Sequence, residues 1–212
     1  MSISDLRREY TLSGLHERDL DPSPFKQFER WFQQALSAEL LDATAMTLAT
    51  SSREGKPSAR IMLLKDFDEK GFVFFTNYES RKGRELDENP YAAIVFFWAE
   101  FERQVRIDGR VSRISREESA EYFHSRPIGS QLGAWASHQS KVIDAPELLE
   151  DQLNQFGTQF KGKPIPMPAF WGGLLLSPET IEFWQGRPNR LHDRLRYTLQ
   201  QDGSWLIERL SP

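Results

Sequence analysis

The segment Tyr91–Trp98 reads Tyr-Ala-Ala-Ile-Val-Phe-Phe-Trp, eight residues without a charge. Such a short, β-branched and aromatic run is typical of a strand buried on both faces. It is far below the roughly 20 residues that a membrane span needs. The next segment, residues 103–112, alternates: Val105, Ile107 and Val111 share one face, and Gln104, Arg106, Asp108 and Arg110 the other. Further strand-like segments lie at 45–50, 58–65, 72–77, 170–176, 180–184, 195–200 and 204–210. Asp66-Phe67-Asp68-Glu69-Lys70-Gly71 reads as a hairpin loop, and Gln201-Asp202-Gly203 as a hairpin turn. Helices are expected after Ser23-Pro24, an N-cap with proline at the first helical position, with Phe25, Phe28, Phe32, Ala35 and Leu36 as the apolar stripe. Residues 80–89 form a short polar helix stopped before Pro90, and helices dominate 116–160. Strands and helices do not alternate. The order predicts an α+β fold: an antiparallel, barrel-like sheet with helices inserted or packed outside.

Composition narrows the chemistry. The 212 residues suit one domain, residues 23–212, preceded by a charged leader, residues 1–22, that is either a frayed tail or an arm docking elsewhere. A net charge of −4 argues against general nucleic-acid or anionic-membrane binding. With no apolar span and no signal-peptide core at the start, a cytoplasmic location is expected. There is no cysteine, so thiolate nucleophiles, Cys-ligated zinc and iron–sulfur clusters are excluded. The four histidines form no metal-binding spacing, and no metal is expected. Neither a dinucleotide-binding glycine fingerprint nor a phosphate-binding P-loop is present. Any redox chemistry must then come from an organic cofactor.

Several polar residues sit against this pattern. In an extended backbone Arg190, His192 and Arg194 would project to one side, giving either a cationic face for an anionic or electron-rich planar ligand or a solvated strand end. Arg60 and Lys65 bracket an aliphatic run, and their odd spacing lets them serve one ligand only if a bulge intervenes or the run turns over an edge. Thr76 ends one strand, and Ser80, Arg81 and Lys82 open the helix after it, which favours an anion at the helix N-terminus. Tyr122 and Arg126 fall at i, i+4, with Ser130 at the start of the next helix. They could grip one phosphate, or be a helix-end pair with an ordinary N-cap. The run Gly133-Ala134-Trp135-Ala136-Ser137-His138-Gln139-Ser140 is either a ligand-lining loop or a helix end, and Gln104 alone carries no message.

Taken in order, Leu6-Arg7-Arg8-Glu9-Tyr10, Arg60-Ile61-Met62-Leu63-Leu64-Lys65, Phe75-Thr76-Asn77, Ser80-Arg81-Lys82, Glu102-Arg103-Gln104-Val105, Tyr122 through Pro127, Gly133 through Ser140, Phe170-Trp171-Gly172-Gly173, and Glu182-Phe183-Trp184-Gln185-Gly186 through Arg194 resemble the pyridoxine/pyridoxamine 5′-phosphate oxidase family over nearly the whole chain. The resemblance implies an FMN-binding split β-barrel, antiparallel and Greek-key-like, and a homodimer with FMN at the subunit interface. It puts FMN contacts on Arg60, Ile61, Met62, Leu63, Leu64, Lys65, Phe75, Thr76, Arg81, Lys82, Gln104, Gln139, Ser140, Trp184 and Arg194. Substrate contacts fall on Lys65, Tyr122, Arg126, Ser130, Arg190 and His192, and Arg7 and Tyr10 match the segment that closes over the substrate.

The activity so implied is oxidation of pyridoxine or pyridoxamine 5′-phosphate to pyridoxal 5′-phosphate, with oxygen as acceptor and hydrogen peroxide as product. Arg190 and His192 are the catalytic candidates, holding the pyridine ring against the flavin. Flanking arginines favour a neutral His192. Rival readings are a related flavin oxidase on another planar substrate, such as a phenazine precursor, and a non-catalytic flavin- or haem-binding protein.

Overall fold

The computed structural model describes Ser2, residues 9–12 and residues 14–212. Arg7 lies outside the described residues. Among the described residues nine antiparallel strands make one sheet: β1 (Ala45–Ser51), β2 (Pro57–Leu63), β3 (Asp66–Asp68), β4 (Gly71–Asn77), β5 (Tyr91–Trp98), β6 (Arg103–Arg113), β7 (Trp171–Gln185), β8 (Asp193–Leu199) and β9 (Trp205–Arg209). Their order is β2-β1-β5-β6-β7-β4-β3, with β8 beside β7 and β9 beside β8. The two end strands of that path, β2 and β3, are joined only by Leu64 and Lys65. A two-residue link forces the sheet to curl until its ends meet, so it forms a barrel.

β7 is where the barrel divides. One edge pairs with β6 along its length, while the other is shared: residues 171–176 pair with β4 and residues 180–185 with β8. The sequence suggested two strands here. The structure has one, because Pro178 and Glu179 are absorbed as a bulge where the register against Asp108 and Gly109 shifts. The expected loop at residues 66–71 is also tighter, with Asp66–Asp68 forming the short strand β3 against β4.

The expected two-face burial of β5 is corrected. Ala92, Ile94, Phe96 and Trp98 are buried, but Tyr91 is 50% and Phe97 57% exposed. They share the outer surface with Ile61 of β2, which is 66% exposed.

Helix α1 (Pro24–Ser37) starts as expected, with Ser23 Oγ accepting the Lys26 N–H. Its buried stripe is Phe25, Phe28, Trp31, Phe32 and Ala35. Trp31 joins the stripe, and Leu36 turns outward. The Phe28 ring lies 4.9 to 5.1 Å from those of Phe67, Phe72 and Phe96, which seats α1 in the barrel core. Helices α2 (Arg81–Glu88), α3 (Arg116–Ser125), α4 (Ile128–Ala136) and α5 (Glu147–Gln159) complete the fold. A second, smaller core of Phe123, Ile165 and Trp171 lies under α3 and α4. Among the described residues no helix is long and apolar enough to cross a membrane.

Candidate active site

A concavity of about 580 Å³ lies between the barrel and the α3–α4 turn. The ends of β2 and β4 supply Met62, Lys65, Phe75 and Thr76. The turn supplies Tyr122, Arg126 and Ser130, and Gln139 follows α4. Its floor is an aromatic slab. Phe75 stacks on Tyr122 at 3.9 Å and on Trp171 at 5.3 Å, and the Arg126 guanidinium lies 4.8 Å above Trp171. Lys65 reaches this cavity because β2 stops at Leu63 and the link turns over the sheet edge, the condition that its odd spacing from Arg60 required. In the aliphatic run, Ile61 and Leu63 are exposed and Leu64 is in the core, so Met62 and Lys65 are the members that line the cavity.

Two local expectations change. α3 ends at Ser125, so Arg126 is its extended C-cap and not a helical i+4 partner of Tyr122. Ser130 sits inside the first turn of α4, whose N-cap is Pro127. Both side chains still face the cavity. Arg126 Nη1 is buried with no hydrogen-bond partner among the described residues, and burial pulls the guanidinium pKa below its usual value. A half-buried cation with an orphaned, buried N–H is costly unless something anionic meets it.

A second cationic group adjoins the cavity. Lys82 is buried, and its ammonium donates to Thr76 Oγ1 at 3.1 Å, Ser80 Oγ at 3.4 Å and Gln139 Oε1 at 2.8 Å. These partners are hydroxyls and an amide, with no carboxylate. Burial, and then the Arg60 charge, push its pKa down to about 8. Ser140 Oγ accepts the Arg81 N–H at 3.2 Å, docking the segment after α4 onto the start of α2. Arg60 and Arg81, by contrast, are held by Glu85. Arg60 Nη2 lies 3.5 Å and Arg81 Nε 2.8 Å from its carboxylate. Burial opposes the Glu85 charge, but donation from Ser58, Thr50 and Arg81 outweighs it and leaves the pKa at about 2.

The remaining candidates gather at the far end of β7. Trp184 pairs with Gln104 across β6 and with Arg194 across β8. Residues 190–194 are not one extended segment. Pro188–Arg190 is a tight turn with Asn189 and Arg190 at positive φ, and β8 starts only at Asp193. His192 instead packs its ring 4.6 Å from Trp184, and its Nδ1 accepts the Arg187 N–H at 3.1 Å. Burial first, then the Arg190 charge, lower its pKa, which favours a neutral ring. Arg194, by contrast, is bound by Glu182 with two contacts, at 2.8 and 3.0 Å. Tyr10 sits edge-on to both Trp184 and His192, at 5.5 and 5.4 Å.

Sequence reasoning assigned no role to Trp171, Glu85, Glu102, Glu182 or Asp193. Glu85 was open to detection as the i+4 partner of Arg81. The others act through tertiary contacts that no local spacing encodes.

A curled antiparallel barrel whose central strand changes partners, with a cationic cavity at its side, defines the class of split-barrel proteins. The model of the family described as pyridoxamine 5′-phosphate oxidase matches residues 32–160, and that of the pyridoxine 5′-phosphate oxidase C-terminal dimerisation region matches residues 171–212. The chain belongs to the pyridoxine/pyridoxamine 5′-phosphate oxidase family. It is 61% identical over 211 residues to the enzyme of that name from a Nostoc species, covering 100% of this chain and 99% of the relative. It is 56% identical over 211 residues to that of Paraburkholderia phymatum, with the same coverage. Among solved structures, PhzG from Burkholderia lata, in complex with tetrahydrophenazine-1-carboxylic acid, superposes with a TM-score of 0.89 at 29% identity, covering 97% of this chain and 100% of that one. An FMN-binding protein from Nostoc punctiforme, at 19% identity, shares the fold with a TM-score of 0.72, covering 91% of this chain and 100% of that one.

Proposed function

We propose that the chain is an FMN-dependent oxidase that converts pyridoxine 5′-phosphate or pyridoxamine 5′-phosphate to pyridoxal 5′-phosphate, reducing oxygen to hydrogen peroxide. The observation that carries this reading is a pair of cations, the buried Lys82 and the half-buried Arg126 with its Nη1 out of solvent, that have no carboxylate partner among the described residues and adjoin a cavity lined by flat aromatic rings. Two phosphorylated planar ligands match that donor set. Lys82, with Arg60, Arg81, Thr76, Gln139 and Ser140 around it, would hold the FMN phosphate. Lys65, Tyr122, Arg126 and Ser130 would hold the phosphate of the substrate.

FMN, when bound, supplies the two-electron acceptor that oxygen then regenerates. The protein's part is orientation and charge. Arg126 and Lys65 fix the phosphate end of the substrate and so the position of its exocyclic carbon. A neutral His192 with Arg190 would contact the ring's polar substituents. Nδ1 of His192 already accepts from Arg187, so in the neutral ring Nε2 carries the proton and would be the donor offered to a ligand. Residues 1–22 are read as an arm that closes over this face, and residues 23–212 as the barrel domain. A phenazine-type substrate offers at most a carboxylate, with fewer acceptor oxygens for Lys65, Tyr122, Arg126 and Ser130 together than a phosphate, which favours the vitamin phosphate.

One chain does not bring both halves together. The cavity has none of Tyr10, Trp184, Arg190 or His192 in its wall. Gly172, opposite Thr76, and Trp184 are separated by roughly 35–40 Å of strand contour. A homodimer that juxtaposes opposite ends of two β7 strands would complete the site, and the apolar outer face of Ile61, Tyr91 and Phe97 is suited to such an interface. The test is to purify the protein, record its flavin absorbance, and supply pyridoxine 5′-phosphate under air. Formation of pyridoxal 5′-phosphate and peroxide together supports the proposal. A yellow protein that makes neither overturns it.

A further inference from the structure

Glu102 occupies a position that its residue type does not favour. It ends the turn Ala99–Phe101 at φ 53° and ψ 38°, in the left-handed region, and it is only 3% exposed. A glycine would take that backbone without strain. Strain at a buried charged residue points to a job for the side chain. The contacts identify it. One carboxylate oxygen of Glu102 accepts the backbone N–H groups of Thr11 at 2.9 Å and Leu12 at 3.2 Å, which follow Tyr10 directly. The Glu102 carbonyl also accepts the Gly186 N–H at 2.7 Å. Gly186 is the bare surface beneath Tyr10: a Cβ there would come within 2.5 Å of the Tyr10 ring. Glu102 and Gly186 together make a seat that presents Tyr10 edge-on to His192 and Trp184. A second clamp lies further along, where Asp193 accepts the Leu15 N–H at 2.9 Å.

We propose that Glu102 is a positioning residue, which acts through Tyr10 on the substrate-side face at His192 and sets how firmly the arm closes there. The role of that face rests on the oxidase reading above, but the docking of the arm does not. Losing a charge-assisted acceptor for two amides weakens closure about tenfold or more.

The decisive variant is Glu102→Gly, which suits the backbone and removes the side chain with its carboxylate. Gly186→Ala, which fills the seat, and Glu102→Gln, which keeps one acceptor, accompany it. Two readouts are made on flavin-loaded protein: hydrogen exchange of the peptide covering residues 9–15, and kcat and KM for pyridoxine 5′-phosphate. In Glu102→Gly the exchange is expected to rise about tenfold and KM about tenfold, with kcat changed less than threefold and thermal stability equal to or above wild type. Glu102→Gln is expected to fall between, and Gly186→Ala to reproduce the KM effect. Unchanged exchange in Glu102→Gly would overturn the proposal. So would faster exchange with unchanged KM, which would make Glu102 a fastener with no bearing on the substrate. If wild-type protein fails to oxidise the substrate, the oxidase reading falls, while the exchange data still decide whether Glu102 docks the arm.

Discussion

The two ends of β7 carry similar residues but treat their charges in opposite ways. At the end near Gly172, the buried Lys82 and the half-buried Arg126 have no carboxylate partner among the described residues and stand on the margin and wall of the cavity. At the end near Trp184, Arg194 is paired with Glu182, and Arg187 and Arg209 with Asp193. The first end resembles half of an interaction, and the second a finished structural network over which Tyr10, Trp184 and His192 present an aromatic face. Desolvated charge without a counter-charge is a stronger pointer to a ligand than charge alone, because hydrogen bonds and ring contacts only partly offset its desolvation.

If this contrast is right, the largest effect belongs to Arg126. Arg126→Ala should lower kcat/KM for pyridoxine 5′-phosphate by about a hundredfold, the loss of two or more charge-assisted bonds to phosphate, with bound flavin unchanged. A loss below threefold in steady-state assays would mean that the orphaned guanidinium is not awaiting the substrate. The separation of the two ends gives a sharper test. A heterodimer of Arg126→Ala and His192→Ala chains, isolated through two different tags, should regain about half of wild-type activity, since one of its two sites would combine both intact halves. Activity no higher than that of the single variants would place both clusters in one chain's site and break the two-end account.

Lys82 gives a pH signature of intermediate size. Its pKa of about 8 in the flavin-free protein means that the ammonium, the form that attracts phosphate, is full below pH 8 and fades above it. Bound phosphate raises that pKa, so FMN binding takes up a proton. Affinity should therefore fall as pH rises above 8, by up to about tenfold per unit until the bound-state pKa is reached. Stability of the flavin-free chain runs the other way: with the folded pKa below the unfolded one, it increases as pH rises from about 8 toward the ordinary lysine range. Fluorescence titration with FMN at several pH values checks the first claim, and a Lys82→Met variant should flatten that dependence.

How far the sequence could lead differs between the same two regions. The strands, α1 and the cavity-lining candidates were legible, because amphipathic period, capping and local spacing encode them. Lys65, Tyr122, Arg126 and Ser130 all reach one cavity, although the helix geometry that suggested them was wrong in detail. The segment at 190–194 was misread as extended, because Asn189 and Arg190 adopt left-handed backbone that no pattern of polarity announces. The outward side chains of β5 were misread because an apolar run does not reveal whether its second face meets the same chain or another. Glu102, Glu182 and Asp193 stayed hidden since each works across 12 or more residues of sequence.

Glu182 supplies the smallest effect and the closest check on the contrast. It is buried, accepts two bonds from Arg194, and lies 3.5 Å from Arg106. Both arginines are partly exposed, so solvent screens the pair and its contribution is modest. Glu182→Gln keeps the shape and one acceptor oxygen. It should cost about 1 kcal/mol and lower the melting temperature by about 3 °C. Flavin affinity should change by less than a factor of three, since the substitution leaves the Arg194 charge in place. A loss of FMN affinity beyond tenfold would show that Glu182 sets Arg194 for a ligand. The Trp184 end would then be a binding site with its charges already arranged, and not a structural network that borders one.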